Sequence, residues 1–246
     1  MRLKLPASEA TADNATTAHM VKSLIDPTQS RWLLEEGELQ SLGSIVARNR
    51  TGKIGKRSTA GQKLDLRVTL ADTNDQLEGL VCLRSGGLPR PGLAKFHLDR
   101  VDLLECLMEI VFAFGLENSG VLSEKIGGLF VMGIQSYDWS SYVYGLRWRT
   151  EGVFCAGLLK RFKLPRSLSN LAIVENGVYS LLRVEATLQT LVRKANEISL
   201  LKARLNSRER RATLGITQPY MAPPPFGCIA RSRRKLNTEV NEDRYV

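Results

Sequence analysis

The segment Leu64-Asp-Leu-Arg-Val-Thr-Leu70 alternates apolar and polar residues without a break. Successive side chains of a strand point to opposite faces. The pattern therefore predicts a half-buried β-strand with Leu64, Leu66, Val68 and Leu70 inside and Asp65, Arg67 and Thr69 outside. Such a strand needs a sheet around it and a layer to cover its apolar face. Leu80-Val-Cys-Leu83 is a candidate partner strand, and the two glycines and two prolines of Ser85-Gly-Gly-Leu-Pro-Arg-Pro91 mark a turn or loop.

The covering layer is expected from two apolar segments. Between Asp99 and Gly115 the residues Val101, Leu104, Met108, Val111 and Phe112 keep a helical period, and Leu103, Leu107, Ile110 and Phe114 broaden that face. This predicts a helix buried on most sides, with Gly115 as its stop. Residues 122–134 read as a second apolar helix, weakened by Gly127, Gly128 and Gly133, which could permit close packing on the first. Tyr142, Tyr144, Leu146 and Trp148 alternate with Val143, Gly145 and Arg147, which predicts another strand, and Val153–Leu159 either continues it or starts a new one. Leu181, Val184, Leu188, Leu191, Ala195, Ile198 and Leu205 fit a heptad seam, yet Leu182, Val184, Ala186 and Leu188 also alternate, so residues 178–192 are open between coiled-coil helix and strand. From Lys194 to Arg211 the composition predicts helix. Trp32, Leu39, Leu42, Ile45 and Val46 suggest one short helix upstream.

Charge organises the remainder. The net charge is +10, and between Arg193 and Lys235 eleven Lys/Arg face only Glu197 and Glu209, leaving +9 there. An anionic partner is expected: RNA, DNA, an acidic protein or an anionic membrane surface. Arg48, Arg50, Lys53, Lys56 and Arg57 form a second cluster among Gly52 and Gly55, without an apolar period. It reads as a mobile basic loop for membrane or nucleic-acid binding, whose replacement by alanine should leave the melting temperature nearly unchanged. A third basic run, Arg231, Arg233, Arg234 and Lys235, follows the prolines Pro223, Pro224 and Pro225 and Phe226. The prolines serve as a docking candidate or a spacer, and the basic run as a nuclear-localisation candidate that an importin could read.

Chemistry-bearing patterns are sparse. Cys82, Cys106, Cys155 and Cys228 form no CxxC pair, and the first three sit in apolar runs, so buried thiols in a reducing compartment are expected. His19 and His97 have no carboxylate or thiol at ligand spacing, and Gly52 and Gly55 lack the phosphate-loop spacing. No apolar run reaches the roughly 18 residues of a membrane span. These patterns point to a binding or structural protein rather than an enzyme, with no cofactor and no metal.

The order of elements and two stretches, Lys63-Leu-Asp-Leu-Arg-Val-Thr-Leu70 and Gly128-Leu-Phe-Val-Met through Trp139–Phe154, resemble the matrix proteins of rhabdoviruses. Tyr179–Leu188 is similar to a later strand of that family. The likeness covers about residues 60–210. It implies an α+β fold: a multistranded sheet packed against two apolar helices, with basic flexible N- and C-terminal segments. The expected divisions are 1–60, a flexible segment with a short helix and the basic loop; 61–212, the core domain; and 213–246, a disordered proline and basic tail. The implied role is a virion structural protein that condenses the viral nucleocapsid through its RNA, self-associates, and attaches it to membrane during budding. It would reside in the virion, the host nucleus and the cytoplasmic face of membranes. Vertebrate members carry a Pro-Pro-x-Tyr motif near the N-terminus; here Pro223-Pro-Pro-Phe226 places Phe at the Tyr position and near the other end. The basic tail suits a nucleus-maturing plant member. Alternatives from the residues alone are a nucleic-acid-binding or silencing-suppressor protein, with Tyr142, Tyr144 and Trp148 as stacking surface or core, and a coiled-coil adaptor over residues 181–205.

Overall fold

The computed structural model describes residues 17–24, 32–50, 58–71, 77–86, 92–121, 123–150, 153–165, 170 and 172–211. Six strands form one mixed sheet in sequence order: β1 (Trp32–Gln40), β2 (Lys63–Leu70), β3 (Glu78–Arg84), β4 (Phe130–Tyr137), β5 (Ser140–Thr150) and β6 (Val153–Lys163). All neighbours are antiparallel except β3 and β4. A parallel pair needs a crossover, and the connection here contains a 25-residue helix. The helices are α1 (Thr17–Leu24), α2 (Leu42–Asn49), α3 (Leu93–Glu117), the single turn α4 (Ser123–Ile126) and α5 (Ala172–Arg211).

Leu64, Leu66, Val68 and Leu70 of β2 are all buried as the alternation predicts, but Thr69, expected outside, is buried as well, next to the register shift between Val68 and Thr69. Leu66 and Val68 stand opposite Cys82 and Leu80 of β3, and the pair Leu80–Cys82 continues across to Met132 and Ile134 of β4. The other sheet face carries Val81, Gly133, Gln135, Tyr142, Tyr144, Leu146 and Trp148 in register. It lies under α3. A Cβ on Gly133 would come within 3.0 Å of the Leu103 side chain, so glycine there sets how closely α3 settles on the sheet. Tyr144, Leu146 and Trp148 are core residues.

α5 packs along the sheet on its apolar stripe. Leu181, Val184, Leu188, Leu191, Ala195 and Ile198 are buried, while Leu182 is exposed. That settles residues 178–192 as helix: the buried positions follow a 3.6-residue period, not a two-residue one. Leu188 and Leu191 press on Gly79 of β3. The stripe that reads as a coiled-coil seam is thus covered by the sheet of its own chain, and only its last member, Leu205, is exposed.

The structure corrects three expectations. The second apolar helix over 122–134 does not form: Ser123–Ile126 is one turn, and Phe130 onward is β4. β4 is a central strand buried on both faces, so its sequence shows a continuous apolar run instead of alternation. The fold is accordingly a mixed six-stranded sheet against several helices. Second, Trp32–Gln40 is not part of a helix but the edge strand β1, and α2 starts only at Leu42. Third, Cys155 is exposed, unlike Cys82 and Cys106.

A buried polar knot joins α2 to this body. Ser41 caps α2 by accepting from the Ser44 amide at 3.2 Å. The Glu78 carboxylate accepts from Ser41 Oγ at 2.6 Å and from the amides of Leu42 and Gly43, each at 3.0 Å. An acceptor at a helix N-terminus satisfies amides that have no partner within the helix. Burial nevertheless pushes the Glu78 carboxyl above its ordinary range, with the Ser41, Gly43 and Leu42 hydrogen bonds opposing. Burial likewise raises the Cys106 thiol, which stays protonated.

Candidate nucleic-acid interface

At the β4–β5 turn end of the sheet lies an open cleft of about 450 Å³. Its walls come from five elements and the β4–β5 turn, with Ile173 of α5 and Asp138 of the turn among the lining residues. Phe96 projects from the first turn of α3, Tyr137 from the end of β4, Tyr142 from β5, and Arg161 and Lys163 from β6; Trp139 sits in the turn. Phe96 packs against Tyr137 at 4.9 Å and against Tyr142 at 5.1 Å between ring centroids. The Arg161 guanidinium lies 5.1 Å over the Tyr142 ring. Trp139 and Tyr142 are half-buried, and Arg161 and Lys163 are exposed.

The surrounding hydrogen bonds hold this arrangement in place. Gln135 Nε2 donates to the Phe96 carbonyl and to Ser85 Oγ, both at 2.7 Å, which ties the start of α3 to the sheet. The Leu164 amide donates to the Trp139 carbonyl at 2.8 Å, closing the end of β6 onto the turn. Arg84 is fully buried, and its Nη2 donates to the Asp138 carbonyl at 3.1 Å and its Nε to the Gly86 carbonyl at 3.1 Å. Asp138 itself turns the chain with a φ of +52°. A fixed turn of this kind presents Trp139 without first having to order it.

The chemistry offered is aromatic surface plus cationic charge. A guanidinium over a phenol ring is held by the ring quadrupole, and both surfaces can stack on a nucleobase. Arg161 and Lys163 can meet phosphate oxygens. The two strands β5 and β6 support this sign of charge: Arg147, Arg149, Lys160, Arg161 and Lys163 are exposed, and neither strand carries an acidic residue.

The residues singled out from sequence fall differently. Arg48 is not a loop cation. Its Nε donates to Glu109 Oε1 at 2.8 Å, Nη1 to the Ala60 carbonyl at 3.3 Å and Nη2 to Gln62 Oε1 at 3.1 Å, so it joins α2 to α3 and to the chain before β2. Arg50 is exposed, with its guanidinium 5.4 Å over the Phe112 ring. Lys53, Lys56 and Arg57 lie outside the described residues, as do Pro223 to Phe226 and Arg231 to Lys235. Of the aromatic trio, Tyr144 and Trp148 belong to the core and Tyr142 alone reaches the cleft. Trp139, Arg161 and Lys163 escaped selection because no local spacing links a turn residue to a strand 22 positions later; the signal available was the basic end of Leu158-Leu-Lys-Arg-Phe-Lys163 beside the aromatic-rich 137–148 stretch.

Among the described residues no helix is long and apolar enough to cross a membrane. The membrane-associated, budding role expected above is corrected on that finding: α3 buries Leu103, Leu107, Ile110 and Phe114 in the core while its Leu93, Leu98 and Val101 are exposed, and α5 carries charges along its length. Comparison with known proteins finds no matching family model, no matching curated protein and no matching solved structure, so the rhabdovirus matrix likeness stays a resemblance of sequence pattern.

Proposed function

We propose that this chain is a structural RNA-binding protein that packages or scaffolds a ribonucleoprotein, with the cleft at Trp139, Tyr142, Arg161 and Lys163 as its contact to single-stranded RNA. The observation that carries the reading is the cation–aromatic wall, in which Arg161 covers Tyr142 beside an accessible Trp139. Unstacked bases are recognised on such surfaces, while cations track the backbone. The net charge of +10 supports the same partner, since phosphate neutralisation supplies most sequence-independent affinity. The resemblance to rhabdovirus matrix proteins suggests a viral nucleocapsid as the biological form of that RNA.

The test is fluorescence anisotropy of a labelled oligouridine across a salt series. Each cation that neutralises a phosphate of a single strand adds about −0.7 to the slope of log affinity against log salt. Arg161→Ala with Lys163→Ala should therefore flatten the slope by roughly 1.4. Tyr142→Ala should weaken binding by about 1–3 kcal/mol with little change in slope. Affinity and slope unchanged in both variants would overturn the reading.

A further inference from the structure

We propose that the outer edge of β6 pairs antiparallel with the same edge of a second copy of this chain, over Val153–Leu159, about a two-fold axis at Ala156. β6 is the last strand of the sheet, and among the described residues no strand pairs with its outer side. An edge strand presents a row of backbone donors and acceptors whose natural complement is another strand. The first seven residues, Val-Phe-Cys-Ala-Gly-Leu-Leu, carry no charge, and Val153, Leu158 and Leu159 are 49%, 54% and 51% exposed.

The opposite edge shows what a protected edge looks like in this fold. β1 carries Glu35, Glu36 and Glu38, breaks register between Glu36 and Leu39, and holds Gly37 at a φ of +114°. Charge and irregularity of this kind discourage strand addition. Its carboxylates are also already engaged, Glu35 with Arg67, Glu36 with Lys22 and Glu38 with Lys63. On β6 charge starts only at the end of this segment, and the register with β5 shifts near both of its ends, between Val153 and Phe154 and between Leu158 and Lys160. Leu158 pairs with Tyr144 and Lys160 with Val143, which makes Leu159 the bulged residue, and Lys160, Arg161 and Lys163 follow.

The register comes from the sequence of that segment. With Ala156 on the axis, Val153 stands opposite the partner's Leu159, Phe154 opposite the partner's Leu158, and Cys155 opposite the partner's Gly157. The exposed Val153, Leu158 and Leu159 each then gain an apolar cross-strand neighbour, the contact unit that stabilises a sheet. All cations stay outside the ladder. A two-residue shift that centres the axis on Leu158 would instead bring Lys160, Arg161 and Lys163 into the ladder and carry it across the bulge. A β6-to-β1 contact would be heterologous and would grow past the dimer, into a ring or an open fibre. The two-fold arrangement closes, and it leaves Arg161 and Lys163 free at the RNA cleft, although it does not depend on that cleft binding RNA.

Sedimentation of the full chain after nuclease treatment tests the proposal. A monomer–dimer equilibrium is expected, and Val153→Lys with Leu158→Lys should raise its dissociation constant at least about tenfold while the melting temperature holds, because both side chains are exposed. Ala156→Cys, in a background of Cys155→Ser and Cys228→Ser, should oxidise to a disulfide-linked dimer, since facing Cα atoms of an antiparallel pair lie about 4.5–5.5 Å apart. Leu98→Cys, on the exposed side of α3, should not. A monomer at high-micromolar concentration, growth beyond dimer, a dimer indifferent to the lysines, or no cross-link at Ala156→Cys would each overturn the proposal.

Discussion

Replacing Arg48 by alanine isolates the largest difference between the chain read as sequence and as structure. As a loop cation Arg48 would be removable at no cost. In the fold it is the donor of three hydrogen bonds and the counter-ion of Glu109, with side chains only 13% and 16% exposed. Glu109 would keep only the 2.6 Å hydrogen bond from Ser44 Oγ. Removing one partner of a fully buried pair costs about 3–5 kcal/mol, because the other charge stays behind without a counter-ion. Water reaches this pair in part, so about 2–4 kcal/mol is the expected loss. For a chain of this size that corresponds to a fall of roughly 4–16 °C in melting temperature. Arg50→Ala is the control: an exposed cation–π contact accounts for about 0.5–1 kcal/mol. Glu109→Gln placed on top of Arg48→Ala should recover part of the loss by removing the stranded charge, a coupling that a double-mutant cycle reads directly. The assay is calorimetry on five proteins: the parent, Arg48→Ala, Glu109→Gln, the variant with both, and Arg50→Ala. An Arg48→Ala variant that melts with the parent would refute the structural role assigned to this side chain.

Two further outcomes follow from the same region. Gly43→Ala should destabilise by about 1–3 kcal/mol in urea denaturation, because a Cβ there would stand 2.6 Å from the Ile110 Cα, where α2 crosses α3; a neutral substitution would mean the helices can part at no cost. Glu78 sets a pH dependence: its folded carboxyl is raised above the 4.5 of the free group, so the folded chain holds a proton that the unfolded chain releases. Stability should fall as pH rises from about 4.5 through the raised value, and Glu78→Gln should flatten that fall in urea midpoints. Glu35 works in the other direction, since the Arg67 hydrogen bond holds it below its ordinary range and its contribution is lost only as pH falls through that lowered value. A steeper fall in Glu78→Gln than in the parent would contradict the assignment.

Legibility from sequence tracked how each residue's neighbours are arranged along the chain. β2 is covered on one face and so alternates, which made it readable from seven residues. α3 was legible because its broad apolar face repeats within one element. β4 was not, because a central strand buried on both sides has no period of its own, and its glycines suggested a faltering helix. The segment over Trp32–Val46 failed for a different reason: a strand and a helix, joined at Ser41, together imitate three- and four-residue spacing. The signal that separates them is Ser41 itself, an N-cap residue just before Leu42. The ambiguity over 178–192 could be resolved only by burial, since Leu182 and Leu181 differ in exposure and not in type. The cleft was half legible. Tyr142 and the basic end of β6 lay in view, but the antiparallel register that sets Tyr142 opposite Arg161 is a tertiary fact.

The most direct measurement of the central claim is photo-cross-linking of the full chain to a 4-thiouridine oligonucleotide, with the attached peptides mapped by mass spectrometry. The account predicts adducts on the 137–142 segment, centred on Trp139 and Tyr142, that disappear when Arg161 and Lys163 are both alanine. Adducts confined to α5 or to residues 212–246, with none between 137 and 164, would contradict it.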